Sequence, residues 1–154
     1  LGFGTCALEI GVPDSWVDAT TMADLADISM DFKKRGLNLK IATKFPRMVE
    51  RFLLTNGISH FSLIESSGTL EVAPAMGVAD IIADITASGT TMRENALKTI
   101  NGGVILESEA CLIVNSGTIE SNKRKSQQAE NFMQVIRSHL ESESLLSNRV
   151  NNSQ

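Results

Sequence analysis

An α/β fold is the class that this sequence predicts, and three observations indicate it. Between Leu39 and Asn115, short apolar runs alternate with amphipathic ones, which is the pattern of strands and helices that follow one another along a chain. Apolar residues make up 42% of the sequence and charged residues 21%, so the chain can bury a core. Its length of 154 residues fits one domain, or two small lobes that share a core.

The first predicted elements are a strand and a helix. The sequence GTCALEIGVP at 4–13 predicts a strand that its final proline closes. Thr21, with Asp24 three residues later, has the spacing of a capping box and predicts a helix that runs to Ile28. The basic residues that follow predict a connector at 33–38.

The central part of the chain predicts three strands that alternate with helices. The strands are expected at 39–43, 60–65 and 79–85, and the helices at 46–56, 69–76 and 91–97. Proline near a helix start and glycine after a helix end support these boundaries. The NGG sequence at 101–103 then predicts a break, and the apolar run at 104–115 predicts a long strand that is buried on both faces.

The C-terminal part predicts a turn and one helix. NSGT at 115–118 has turn composition, and apolar residues recur at helical spacing over 124–142. The polar residues at 146–154 predict a disordered tail.

Composition argues against several function classes. The net charge of −4 removes the electrostatic attraction on which nucleic-acid binding depends, so we expect no nucleic-acid partner. No apolar run is long enough to cross a bilayer and no targeting leader is visible, so we expect no membrane partner. The chain begins at Leu1 without a methionine, and we expect that a leader or a piece of the folded protein precedes it.

Cysteine and histidine placement gives no readable metal site. Cys6 and Cys111 each lie inside an apolar run, which predicts two core cysteines, with a disulfide or metal site as the alternative. His60 and His139 have no cysteine or histidine neighbour at the spacing that a zinc site uses.

Polar residues follow the predicted strands of the central block. In an open α/β sheet the carboxyl ends of the strands face a crevice, where helices begin with unpaired N–H groups. The three segments that follow the strands are Thr43–Lys44, Glu65–Thr69 and Asp84–Thr91. They are rich in hydroxyl groups, so together they predict a pocket for an anion, most naturally a phosphate.

The third of these loops, DITASGTT at 84–91, carries the sharpest signal. Gly89 lets the backbone approach an oxyanion closely, and Ser88, Thr90 and Thr91 supply hydroxyl donors. Thr91 also has a glutamate three residues later, which is capping-box spacing. The alternative is a turn that only caps a helix.

Asp84 is the first residue of that segment and lies at the end of a predicted strand. A carboxylate repels a phosphate but accepts hydrogen bonds from a vicinal diol, so a sugar phosphate fits both groups. The loop lacks the lysine of the Walker motif and the G-x-G-x-x-G of dinucleotide folds, so neither nucleotide motif is present.

A longer segment carries a family resemblance. Residues 71–92 read EVAPAMGVADIIADITASGTTM, with a glutamate, a glycine six residues later, a small residue, an aspartate and S-G-x-T-M. This segment resembles the signature of the ATP phosphoribosyltransferases, which open histidine biosynthesis. The resemblance covers about residues 1–120 and is greatest to plant-type members.

The resemblance implies a fold of two α/β lobes like the type II periplasmic binding proteins, with the active site in the cleft between them. It divides this chain into a crossover strand of lobe I at 1–12, a complete lobe II at 13–102 and a return to lobe I at 103–145. In relatives, the segment that corresponds to the region upstream of Leu1 supplies basic contacts to the nucleotide and pyrophosphate. We therefore expect this chain to be N-terminally truncated, and we expect catalysis to require that segment. We also expect this chain to lack the C-terminal regulatory domain that longer family members carry.

The family reaction implied is the joining of N1 of ATP to C1 of phosphoribosyl pyrophosphate, with release of pyrophosphate and with Mg²⁺ as cofactor. Carried over by position, Ser88, Gly89, Thr90 and Thr91 would hold the 5-phosphate and Asp84 the ribose hydroxyls. Two further assignments stay open. Glu71 lies near the ribose or is a structural partner, and Ser67, Gly68 and Thr69 form either a second anion contact or an ordinary N-cap. No general base is assigned.

Two alternatives to the enzyme remain. One is a noncatalytic module that binds phosphate or a sugar phosphate, and the other is an inactive paralogue of the same fold. The resemblance implies a homo-oligomer for the full-length enzyme, located in the cytoplasm, or in the chloroplast stroma if the source is a plant.

Overall fold

The computed structural model describes residues 3–65 and 68–151. These residues divide into two compact units, one that extends to Glu109 and one that begins at Ala110. The first unit contains β1 (Cys6–Pro13), α1 (Met22–Lys34), β2 (Leu39–Thr43), α2 (Pro46–Thr55), β3 (Phe61–Glu65), β4 (Ile81–Thr86), α3 (Thr90–Glu94) and β5 (Leu97–Ser108). The second contains α4 (Ser116–Ser121) and α5 (Lys123–Asn151).

The five strands form one mixed sheet in the order β3-β2-β4-β1-β5. β2 is parallel to both β3 and β4, while β1 is antiparallel to β4 and β5. The carboxyl ends of β2, β3, β4 and β5 therefore meet the start of β1 at one edge of the sheet. This arrangement confirms the predicted α/β class.

The sheet buries apolar side chains on both faces. One face packs against α1 and α2 through a cluster that includes Ile10, Ile41 and Ile81, all fully buried. The other face carries a smaller cluster that includes Ile82 and Met92. Because each large side chain removed from water contributes roughly 1.5–3 kcal/mol, both clusters stabilise the strands whose ends carry the polar loops.

Helix α1 begins as predicted but continues further. Thr21 is its N-cap, and the capping box with Asp24 is complete in both directions. The helix runs to Lys34 rather than Ile28, so part of the expected basic connector is helical. Lys33 and Lys34 lie in its last turn, where positive charge is favourable beside the last carbonyl groups.

The prediction of a helix at 69–76 is wrong. This segment forms successive turns, in which the Ala73 N–H donates to the Leu70 carbonyl at 3.0 Å and the Gly77 N–H donates to the Pro74 carbonyl at 3.0 Å. The physical reason is Pro74, which has no N–H for a helical hydrogen bond and whose ring crowds the preceding turn.

The helix expected at 91–97 is shorter and begins earlier. α3 has five residues, and its N-cap is Gly89, with no side-chain cap hydrogen bond. The predicted capping box of Thr91 and Glu94 is therefore wrong, because both residues lie inside the helix. A helix this short has only a small macrodipole. Anion binding at the loop before it therefore depends on the hydroxyl and N–H groups of the loop.

Strand β5 also differs from prediction, because residues 101–103 do not break it. Between β1 and β5 the pairing shifts around Glu9, so the extra residues are held as a bulge. Val104 and Leu106 are 42% and 49% exposed, so the strand is not buried on both faces. It ends at Ser108, whereas the prediction extended it to 115.

In the second unit, α5 is longer than the predicted helix and includes residues 146–151, where we expected a disordered tail. Cys6 is half-buried and Cys111 is exposed, so the prediction of two core cysteines is wrong. None of the helices in the described part of the chain combines the length and apolar character that a membrane crossing requires. The division into lobes stays a prediction.

Candidate functional site

A cavity of about 620 Å³ lies at the sheet edge where the parallel strands end. It is formed by the loops that follow β2, β3 and β4 and by the end of β4 itself. Its lining residues are Lys44, Gly68, Thr69, Glu71, Ile82, Asp84, Ile85, Thr86, Ala87, Ser88, Thr90, Thr91 and Met92. Segments that are distant in sequence thus meet where the observed parallel pairing brings the carboxyl ends of β2, β3 and β4 together.

Most of the predicted site residues line this cavity. They are Glu71, Asp84, Ser88, Thr90 and Thr91, together with Gly68 and Thr69 from the loop after β3. Gly89 lies on the other side of its loop and lines a neighbouring cavity of about 410 Å³. Ser67 lies outside the described residues.

The loop that follows β4 is held by its own hydroxyl groups. The Gly89 N–H donates to Thr86 Oγ1 at 2.8 Å, and the hydroxyls of Ser88 and Thr90 are hydrogen-bonded to each other at 2.9 Å. Gly89 has φ +68° and ψ +5°, a left-handed conformation that side chains disfavour. Hydrogen bonds within the loop therefore fix its turn, and the hydroxyl groups of Ser88 and Thr90 lie beside each other on it.

Asp84 lies near the end of β4, on the same face of the sheet as Ile82 and Thr86. One of its carboxylate oxygens accepts from the Ile85 N–H at 2.8 Å. Glu9 of β1 is its directly paired neighbour, and burial raises the pKa of Glu9 above its usual value. Two carboxyl groups thus stand side by side at this edge.

The charges around the cavity have both signs. Lys44, which follows β2, brings a positive charge to a lining that also contains the carboxylates of Glu71 and Asp84. From the sequence alone, an exposed lysine at a helix start is more often solvated than functional. Its place in the lining makes it a candidate anion contact.

Three contributors were missed from the sequence. Thr86 accepts the Gly89 N–H, Arg93 donates from Nη2 to Thr90 Oγ1 at 3.1 Å, and Glu9 lines the neighbouring cavity beside Asp84, with which it pairs across the sheet. The threonine was visible within the loop, and the arginine lies one helical turn after it. Glu9 had no local signal because only the register of β1 against β4 brings it there.

No group of three or more histidine, cysteine, aspartate or glutamate residues that could hold a metal ion occurs within 3–65 and 68–151. The cavity instead offers two carboxylates, Glu71 and Asp84. Mg²⁺ commonly binds through one or two carboxylates together with phosphate oxygens of a substrate. The residues therefore suit a magnesium ion that is bound with a phosphorylated ligand.

Sequence comparison identifies close relatives. The chain is 47% identical over 115 residues to an ATP phosphoribosyltransferase of Mesorhizobium japonicum and 48% identical over 115 residues to one of Brucella suis. Each alignment covers 73% of this chain and 50% of the relative. The chain therefore spans about half the length of these relatives.

A solved structure has the same fold. It is described as the ATP phosphoribosyl transferase (HisG:HisZ) complex from Thermotoga maritima, and it matches with a TM-score of 0.65 and 23% sequence identity. The match covers 90% of this chain and 60% of that one. It supports the type II periplasmic-binding-protein-like α/β fold that the family resemblance implies.

A family profile covers most of the chain. The profile described as HisG: ATP phosphoribosyltransferase matches residues 1–138, which include every described residue of the cavity. The chain belongs to the ATP phosphoribosyltransferase family.

Proposed function

We propose that this chain is a catalytic-core part of an ATP phosphoribosyltransferase and binds phosphoribosyl pyrophosphate at the sheet edge. The observation that carries the proposal is the single cavity in which Glu71, Asp84, Ser88, Thr90 and Thr91 meet. A hydroxyl-rich turn and a carboxylate in one cavity match the two ends of a ribose 5-phosphate, namely an anion and a diol.

The 5-phosphate would bind at the loop after β4. The hydroxyls of Ser88, Thr90 and Thr91 line the cavity and are suitable donors to phosphate oxygens. Gly89 has no side chain, so it can adopt the left-handed backbone conformation that this turn requires. Lys44 would add a positive charge from the neighbouring loop.

The ribose hydroxyls would donate to the carboxylate of Asp84. This residue precedes the phosphate loop on β4, so a bound sugar can extend from the loop toward the strand end. Glu71 lies in the same lining and would accept from the same sugar or from a metal-bound water. The separation of hydroxyl donors from carboxylate acceptors gives the ligand a defined direction.

The reaction is the displacement of pyrophosphate from C1 of the ribose by N1 of the adenine of ATP. The new C–N bond uses the lone pair of N1, and the electrons of the broken C–O bond leave with pyrophosphate. The protein's role is to hold both reactants in line and to stabilise developing charge. No residue of the chain is required as a nucleophile, and we assign no general base.

Mg²⁺ would neutralise pyrophosphate and so make it a better leaving group. Glu71 and Asp84 are the carboxylates that could hold it from this chain, with pyrophosphate oxygens as further ligands. The net charge of −4 supports this role, because an acidic chain that binds polyphosphates requires cations. We further propose that the reaction serves L-histidine biosynthesis and that the whole enzyme is a homo-oligomer.

Isothermal calorimetry with phosphoribosyl pyrophosphate and Mg²⁺ tests this function. We expect wild type to bind, and the double variant Asp84→Ala/Thr91→Ala to bind at least about tenfold more weakly, because each lost hydrogen bond to a charged partner is worth roughly 1.5–3 kcal/mol. The matched control is Asp27→Ala/Thr55→Ala, which makes the same chemical changes at exposed positions on α1 and α2.

The control is expected to bind as tightly as wild type. Equal affinity in the site variant and the control would refute the assigned site. Equal affinity for ribose 5-phosphate and for ribose, which lacks the anion, would refute the phosphate role of the loop.

A further inference from the structure

Arg93 contacts the phosphate loop from the side away from the main cavity. Its Nη2 atom donates to Thr90 Oγ1 at 3.1 Å, and it lines the neighbouring cavity of about 410 Å³ together with Gly89. Thr90 itself lines the main cavity. The threonine hydroxyl therefore stands between the arginine and the place proposed for the 5-phosphate.

The missing side chain of Gly89 makes room for this arginine. A Cβ atom at Gly89 would lie 2.9 Å from Arg93 Nη1, closer than such atoms approach in proteins. The guanidinium thus lies over the glycine and against the adjoining threonine. The S-G-T sequence and the arginine one turn later form one packed unit.

The hydrogen bonds of this unit limit where the hydroxyl protons point. Each hydroxyl has one proton, and a guanidinium has donors but no acceptor, so Thr90 cannot donate to Arg93. The hydroxyls of Ser88 and Thr90 share one hydrogen bond at 2.9 Å, which uses one of their two protons. The other proton is left to be donated to a third group, and an anion in the cavity is suited to accept it.

We propose that Arg93 is a positioning residue for phosphoribosyl binding, which acts through Thr90. By donating to Thr90 Oγ1 it fixes the orientation of that hydroxyl, so that the proton left over from the Ser88–Thr90 hydrogen bond points toward the 5-phosphate. Its positive charge also favours an anion on the far side of the loop. This inference rests on the proposed function and adds to it a residue that does not touch the ligand.

Ribose 5-phosphate binding to the full chain, measured by calorimetry, tests the proposal with a double-mutant cycle. The variants are Arg93→Met, Thr90→Val and the two combined. Because one net hydrogen bond is at stake at an exposed position, we expect Arg93→Met to weaken binding about five- to tenfold. In the Thr90→Val background we expect Arg93→Met to weaken binding by less than about twofold, because the hydroxyl through which it acts is gone.

Two further variants separate positioning from loss of charge or fold. Arg51→Met removes an exposed arginine from α2, and we expect it to bind within about twofold of wild type. Arg93→Lys keeps the charge and a donor, and we expect it to recover at least half of the lost affinity on a logarithmic scale. We expect thermal unfolding midpoints of Arg93→Met and Arg51→Met to agree.

The outcomes distinguish this inference from the function on which it rests. Absence of ribose 5-phosphate binding by wild type would refute the proposed function and, with it, the role of Arg93. Binding by wild type with no difference between Arg93→Met and Arg51→Met would refute the role of Arg93 alone. Losses that multiply in the double variant would also refute it, because Arg93 would then act independently of Thr90.

Discussion

Replacing Gly89 tests two things, the left-handed backbone conformation of the loop and the contact of the loop with Arg93. It has φ +68°, and a side chain there would meet Arg93. Gly57, at φ +77°, has a similar conformation, but a Cβ atom added there would have no neighbouring atom within 4 Å. The two glycines therefore share the same conformational requirement but differ in what surrounds them.

We expect alanine at either position to lower the free energy of unfolding by about 1–2 kcal/mol, because both adopt a left-handed backbone. Arg93 is exposed and flexible, so it can move away from the added methyl group at little further cost. Gly89→Ala should nevertheless weaken ribose 5-phosphate binding about tenfold, through the lost Thr90 contact and a crowded loop. Urea unfolding and calorimetry on Gly89→Ala and Gly57→Ala check this, and equal affinities would contradict it.

Individual site residues were predictable where the chain carried them in a local pattern. Asp84 lies at the end of one strand, and Ser88 and Thr91 follow that strand, so the strand and loop assignments were enough to group them. Arg93 and Glu9 were not predictable in the same way. The first depends on the path of a long side chain, and the second on the pairing of two strands that are far apart in sequence.

At the scale of elements, the start of α1 shows how local hydrogen bonds stabilise a helix. Asp24 accepts from the Thr20 N–H at 3.0 Å and from the Thr21 N–H at 2.8 Å. The hydrogen bonds from the backbone and hydroxyl of Thr20, then those from Thr21, lower the pKa of Asp24 from 3.8 to about 2. This carboxylate therefore favours the folded state when it is ionised.

A lowered pKa in the folded state gives stability that is present above the unfolded pKa and lost as pH falls through the folded one. For Asp24 this window lies between about pH 4 and pH 2. We expect Asp24→Asn to lower the urea midpoint at pH 6, and the difference from wild type to shrink as pH falls to about 2. A difference that is the same at both pH values would contradict the role of the charge.

Helices and strands were predicted correctly where the local sequence pattern and the pairing of strands in the sheet favour the same structure. β2 matches its predicted bounds, since five residues of a buried strand are followed by a proline-started helix. The segment at 69–76 was predicted as a helix that ends at Gly77, but Pro74 in its interior removes a helical hydrogen bond. β5 continued through 101–103 because pairing with β1 absorbed the extra residues as a bulge, and pairing between distant strands cannot be read from local composition.

For the molecule as a whole, strand direction determines where the polar residues of the candidate site lie. β2, β3 and β4 run parallel, so their loops meet at one edge although they span residues 44–92 in sequence. The chain carries a net charge of −4, yet this edge combines hydroxyls, Lys44 and nearby Arg93 with the carboxyl groups of Glu9, Glu71 and Asp84. Hydroxyl and cationic groups suit the anion of a ligand and carboxylates suit its diol, so this edge fits a ligand that has both.

A crystal structure of this chain with phosphoribosyl pyrophosphate and Mg²⁺ is the most direct test. We predict the 5-phosphate within hydrogen-bonding distance of Ser88, Thr90 and Thr91, and the ribose hydroxyls within hydrogen-bonding distance of the Asp84 carboxylate. A ligand bound elsewhere, or bound with its pyrophosphate rather than its 5-phosphate in the loop at 88–91, would contradict the account.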